Sequence, residues 1–217
     1  KYTMNPTPEK TSVMAPFILM LFLYFIVGLF TVINQQFQVP LKSALLPHDG
    51  NMTNALVTLL NFSWFLAYPF SEGFATRWVD RLGYRKTSVY SLLIFIVGLG
   101  FYEAAVLLHI YAPSYITIMG NPIFTGFFVF LSGSFVIGMA VTILQVVTGL
   151  YLDVNPVGKT TPLQRQMIGG TTNSIGMAIG PLVVSYIIFY GIPLHNVQSR
   201  EFIWPVICLI AIICIFT

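Results

Sequence analysis

The sequence predicts an all-α membrane protein of six transmembrane helices forming one domain over residues 1–217, on three observations. Hydrophobic residues fill 56% of the chain and charged residues only 8%, against about a quarter charged in soluble domains. The apolar residues are gathered into runs long enough to cross about 30 Å of hydrocarbon at about 1.5 Å per residue. Short connectors rich in Pro, Gly, Asn and charge separate the runs. A soluble domain would need charged faces on its surface helices, and between Ala15 and Thr31 no charge is present.

The predicted spans lie at 15–38, 53–76, 87–111, 123–150 and 166–190, with a sixth beginning near Phe202. They are joined by PLKSALLPHDGN, RWVDRLGYRK, YAPSYITIMGNP, DVNPVGKTTPLQR and GIPLHNVQSRE, and no low-complexity linker divides them. The sixth run reaches Thr217 after sixteen residues, about one turn short of a comfortable span, which predicts a chain cut in or at the end of a helix. No cleaved signal peptide is read at the N-terminus, since the run from Ala15 is too long and no small-residue cleavage site follows it.

Basic residues in alternate connectors set the orientation of a membrane protein. Lys1, Lys10, Arg77, Arg81, Arg85, Lys86, Lys159 and Arg165 fall on one side, and Lys42 and Arg200 on the other. This predicts a multi-pass protein of the plasma or inner membrane with its N-terminus in the cytoplasm. The net charge of +3 implies no nucleic-acid partner. Cys208 and Cys214 lie inside the last apolar run and read as small packing residues. His48, His109 and His195 fall in loops or at span edges, with no spacing that suits a metal, and nothing in the chain calls for a cofactor.

Polar residues within the spans are the informative exceptions, because an amide in hydrocarbon without a partner costs several kcal/mol. In INQQFQVP, at about 100° per residue, Thr31, Asn34, Gln35 and Gln38 share one helix face, and Gln36 points away. The fourth span carries Ser134, Gly138, Thr142 and Gln145; the fifth carries Gly169, Thr172, Asn173, Gly176 and Gly180. For the glycines the expected role is close helix packing. Asn34, Gln35, Gln38, Gln145 and Asn173 donate and accept at once, as the hydroxyls of a sugar require, and are the candidate solute-binding set. Glu72 and Glu103 lie toward opposite ends of the second and third spans and are candidate coupling groups, with pairing to Arg77 or Arg165 as the competing role for Glu72.

In RWVDRLGYRK, Arg77–Lys86, the residues Asp80, Arg81, Gly83 and Arg85 resemble the G-x-x-x-D-R-x-G-R-R signature of the major facilitator superfamily in its D-R-x-G-Y-[KR] variant. Thr76 stands where the signature has its first Gly. The resemblance implies one six-helix half of that fold, with the Asp taking part in a charge lock between helix ends. TTNSIGMAIGP, Thr171–Pro181, is similar to the fifth-helix F-N-S-x-G-x-x-x-x-P of the fucose/glucose-galactose permeases, with Arg165 eight residues before the Asn. Gly28 with Asn34, Pro69 with Gly73, and FYEAAVL at Phe101–Leu107 resemble further motifs of that group. The likeness runs from about residue 20 to 185. Carried over, the group's binding Asn falls on Asn173, its proton-carrying Asp on Gln35, its fourth-helix Glu on Val141, and the Asn one turn later on Gln145. Both titratable positions are therefore neutral here, so the group's proton symport does not transfer to them.

The reading that follows is the N-terminal half of a secondary transporter of a sugar or similar small polar solute, working by alternating access with a second six-helix half in the bilayer. An aquaporin-like channel would need two N-P-A loops, but Asn121-Pro122 and Asn155-Pro156 lack the Ala. A membrane enzyme would need a nucleophile and base, and SGS at 132–134 has no G-x-S-x-G frame. A half chain inactive alone is the remaining alternative.

Overall fold

The computed structural model describes residues 14–46, 51–118, 120–198, 201, 203 and 205–209. Lys1, Lys10, His48, Arg200 and Cys214 lie outside the described residues, as does most of the sixth run, in which 203 and 205–209 are helical.

The chain opens with α1, Met14–Gln36, followed by a short α2, Gln38–Leu45. The break between them traces to Pro40, which has no N–H to offer the Gln36 carbonyl four residues back. The Phe37 and Leu41 amides still reach the Ile33 and Phe37 carbonyls at 3.0 and 2.9 Å, so the apolar helix continues past the defect.

α3, Asn51–Tyr111, is 61 residues long but leaves helical geometry at Gly83, where φ is 79° and ψ 168°. A straight helix of that length would extend about 90 Å, three hydrocarbon cores. The chain instead folds back on itself, and the Trp78 and Tyr90 rings meet at 6.2 Å across the turn. The Gly83 conformation is open essentially only to glycine. Gly83→Ala is expected to destabilise the protein by about 1–3 kcal/mol, read as a lower Tm in detergent; an unchanged Tm would contradict a strained reversal at this residue.

The connector after α3 departs from an all-helical expectation. β1, Tyr115–Ile118, pairs antiparallel with β2, Asn121–Phe124, placing Tyr115 opposite Phe124 and Ile118 opposite Asn121. Ile116, Thr117 and Ile118 favour extended backbone, Gly120 turns at φ 81°, and a two-stranded ribbon tolerates Pro122.

α4, Gly126–Val154, is the central helix, and both limbs of α3 pack along it. In the first limb, residues 51–82, Leu60 meets Ser134 and Trp64 and Ala67 meet Gly138, so this limb runs parallel to α4. In the second, residues 84–111, the Ser91 hydroxyl donates to the Ala140 carbonyl at 2.7 Å, Gly98 abuts Gly133 and Ala105 abuts Gly126, an antiparallel course. Trp64, Phe127 and Phe130 are fully buried between these elements, and the Tyr102 and Phe130 rings stack at 3.8 Å.

α5, Pro162–Leu182, starts with Pro162 at its first position and a reciprocal capping box, in which the Gln164 amide donates to Thr161 Oγ1 at 3.2 Å and the Thr161 amide to Gln164 Oε1 at 2.9 Å. Pro181 interrupts the regular bonding near its end, and the backbone continues as a π-helical turn over Val183–Ile188. A 3-10 turn, Leu194–Asn196, lies against α2, where the Ser43 hydroxyl donates to the His195 carbonyl at 2.6 Å. α1 and α5 are locked by small residues: a Cβ on Gly28 would run into the Asn173 carbonyl, and one on Gly176 into the Phe25 carbonyl.

Four helices, Met14–Leu45, Met52–Tyr111, Gly126–Val154 and Pro162–Ile188, are long and apolar enough to cross a membrane, and the second contributes two antiparallel limbs. Perpendicular contact of the Tyr84 and Tyr151 rings at 5.4 Å sets the Gly83 turn beside the end of α4. Arg77, Arg81, Arg85, Lys86, Lys159 and Arg165 therefore gather at one end of the bundle. Lys42 and the β-hairpin lie at the other.

Candidate functional site

Three helices bring polar side chains to one half-buried cluster. α1 contributes Tyr24 and Thr31, the first limb of α3 contributes Tyr68, and α4 contributes Gln145, each partly covered. The Tyr68 hydroxyl donates to Gln145 Oε1 at 3.4 Å. It also lies beside Thr31 and Trp64, with Tyr24 and Glu72 near enough to act on it electrostatically. Thr31 Oγ1 donates to its own helix at the Val27 carbonyl, 2.8 Å away, which satisfies its proton and leaves oxygen lone pairs. The result is a group of neutral donors and acceptors on aromatic stems at membrane depth, with one carboxylate at its edge. Such a group matches uncharged hydroxyls rather than an anion.

The five amides singled out from sequence do not converge. Asn173, half-buried on α5, donates from Nδ2 to the Tyr24 carbonyl at 3.0 Å, so it abuts the cluster through the α1 backbone. Gln145 belongs to the cluster directly. Gln35 lies one turn beyond Thr31 and is half-buried. Asn34 faces the opposite way: at 3% exposure, its Oδ1 accepts from the Tyr102 hydroxyl at 2.9 Å and from Ser134 Oγ at 3.3 Å. Ser134 Oγ also reaches the Leu60 carbonyl at 3.1 Å, so α1, both limbs of α3 and α4 meet at this junction. Gln38, at the start of α2, lines a cavity of about 560 Å³ at the far end of the bundle with Lys42, Ser43, Leu46, Val57 and His195.

The charged candidates are also dispersed. Asp80, Arg81 and Arg85 are exposed around half-buried Gly83 and form no ion pair among the described residues. Glu72 is exposed one turn beyond Tyr68 and likewise forms no ion pair among them, so the pairing with Arg77 or Arg165 is not made. Glu103, half-buried on the second limb of α3, has a buried Oε2 without a hydrogen-bond partner. His109 packs its ring edge-on to Phe124 at 4.7 Å, and Cys208 is exposed rather than packed.

Sequence reasoning missed the tyrosines and the work of Arg165. Trp64, Tyr68 and Glu72 recur at four-residue spacing, a stripe of polar-tipped side chains that the second span displayed openly. Arg165, only 3% exposed, donates from Nε to the Leu152 carbonyl at 2.6 Å, from Nη1 to Thr160 at 2.8 Å and from Nη2 to Asp153 at 2.8 Å. The guanidinium thus closes the C-terminal end of α4, where the helix dipole favours a cation. Beside it, Gln166 Nε2 donates to the Gly149 carbonyl at 2.8 Å.

Comparison with known proteins finds no matching family model, no matching curated protein and no matching solved structure.

Proposed function

We propose that this chain is the N-terminal six-helix half of a major facilitator superfamily transporter, carrying a sugar or similar small polar solute by alternating access. The observation that carries the reading is the Tyr68–Gln145 pair with Tyr24 and Thr31 around it, drawn from three membrane-length helices. Polar groups at that depth are costly unless they face protein or a wet pathway, and these are only half covered. Tyr24 and Tyr68 supply ring faces for a pyranose, and Gln145 and Asn173 supply amides for its hydroxyls. The second six-helix half would close over this face, and the exposed Asp80, Arg81 and Arg85 are free to engage it as the halves rock.

The basic end of the bundle belongs in the cytoplasm on this reading, with the N-terminus on the same side and the protein multi-pass in a plasma or inner membrane. Because Gln35 and Val141 cannot titrate, the carrier is a uniporter unless Glu72, Glu103 or the second six-helix half supplies a proton site.

The test is uptake of a panel of labelled hexoses by the complete transporter, with and without a pH gradient. Saturable uptake independent of the gradient is expected. Gln145→Ala and Tyr68→Phe should each lower uptake at least tenfold, about 1.4 kcal/mol, at unchanged membrane expression. Normal uptake in both variants would remove the site assignment, and accumulation that tracks the gradient would overturn the uniport reading.

A further inference from the structure

The two limbs of α3 carry, on the side turned away from α4, a face that the solute site leaves unused. In the first limb Leu59, Leu66, Phe70 and Arg77 are all exposed and fall within an arc of about 40° at about 100° per residue. In the second, Lys86, Tyr90, Leu93 and Val97 are exposed within an arc of about 60°. Tyr68, nine residues before Arg77, points to the opposite side of its limb, so this face lies away from the one assigned to solute and to the second six-helix half. The Trp78 and Tyr90 rings, 6.2 Å apart, join the two stripes at one end: Arg77 precedes Trp78, and Lys86 lies one turn before Tyr90. Each stripe is thus apolar along the span and ends in a cation where the chain reverses at Gly83. Charge at that end is one-sided, since residues 73–102 hold Arg77, Arg81, Arg85 and Lys86 against the single acid Asp80. Neither Arg77 nor Lys86 forms an ion pair or a side-chain hydrogen bond among the described residues.

We infer that the groove between the two limbs binds an anionic phospholipid from the leaflet at the basic end, its phosphate held by Arg77 and Lys86 and an acyl chain lying along Phe70, Leu93 and Val97. Trp and Tyr side chains sit at headgroup level in a bilayer, which sets the cations beside Trp78 and Tyr90 at phosphate depth. Basic side chains at that depth favour an anionic lipid by roughly fivefold each. A zwitterionic headgroup brings its own cation and leaves the excess charge unmet, and an inorganic anion leaves the apolar walls uncovered. The inference rests on helices that cross a membrane and not on transport.

The experiment is native mass spectrometry of the full chain in detergent, after addition of phosphatidylglycerol or of phosphatidylcholine with the same acyl chains. Phosphatidylglycerol adducts are expected to exceed phosphatidylcholine adducts by roughly tenfold. Arg77→Gln combined with Lys86→Gln should remove most of that preference and leave the phosphatidylcholine adducts unchanged, because both side chains are exposed and the fold makes no bond to either. Arg85→Gln combined with Lys159→Gln takes the same charge from the same end and should keep the preference. Absence of the preference in the unmodified chain would overturn the inference, as would an equal loss in the two double variants, which marks diffuse charge. Dimers that form in place of lipid adducts and disappear in the Arg77→Gln, Lys86→Gln protein would assign the face to a second copy and overturn it too.

Discussion

Arg165→Leu is expected to destabilise the protein by about 2–4 kcal/mol, because charge-assisted hydrogen bonds contribute about 1.5–3 kcal/mol each and are not additive. The guanidinium donates to three carbonyls, of which Leu152 belongs to a fully buried residue and those of Asp153 and Thr160 are partly covered. Removing it takes the side-chain donor from the Leu152 and Asp153 carbonyls at the negative end of the helix dipole, while Asn155 still donates to Tyr151. Arg165→Lys keeps the charge, but one ammonium on a flexible stem cannot match the planar fork that reaches three divergent oxygens. Its Tm in detergent should fall between those of the parent and Arg165→Leu. A Leu variant with the parent's Tm would show that the α4–α5 corner is held by something else.

The second large effect is expected at the α1–α5 crossing. Gly28→Leu and Gly176→Leu each insert a side chain where the Asn173 or Phe25 backbone carbonyl already lies, and backbone cannot yield as a flexible side chain can. Overpacking of this kind costs about 1–3 kcal/mol, and parting the two helices would also stretch the Asn173–Tyr24 hydrogen bond. Gly170→Ala is the internal control. It lies on the exposed face of the same helix with nothing within 4 Å of a built Cβ, so it should be neutral or stabilise by about 0.5–1 kcal/mol. Equal losses in all three variants would mean that helix propensity, rather than the crossing, sets the effect.

The apolar runs made the membrane helices legible, because the requirement to span hydrocarbon acts on every residue of a span. The reversal at Gly83 was legible too, since a glycine inside a short charged connector has few other uses. The β-hairpin after α3 was not, because Pro122 argues against a strand unless the pairing leaves its nitrogen unused. The helix-face argument for Asn34, Gln35 and Gln38 failed in part for two separate reasons. Gln38 lies seven residues, about two turns, beyond Thr31 and so falls at the far end of the bundle, beside Lys42 and His195. Asn34 sits far enough around α1 to enter the packed junction with Tyr102 and Ser134. Sequence spacing ranks residues by face but does not say which neighbouring helix covers that face. The tyrosines escaped notice because Tyr counts among the hydrophobic residues of the composition, although the Tyr68 hydroxyl makes the bond that joins α3 to Gln145.

The most direct measurement is thiol accessibility at Gln145. With Cys208 and Cys214 replaced by serine, Gln145→Cys in membranes should react with a membrane-impermeant maleimide from at least one side, and a hexose that the protein transports should slow that reaction at least fivefold. A cysteine at this position that stays unreactive from both sides, or one whose labelling no hexose alters, would contradict a solute pathway through the Tyr68–Gln145 cluster.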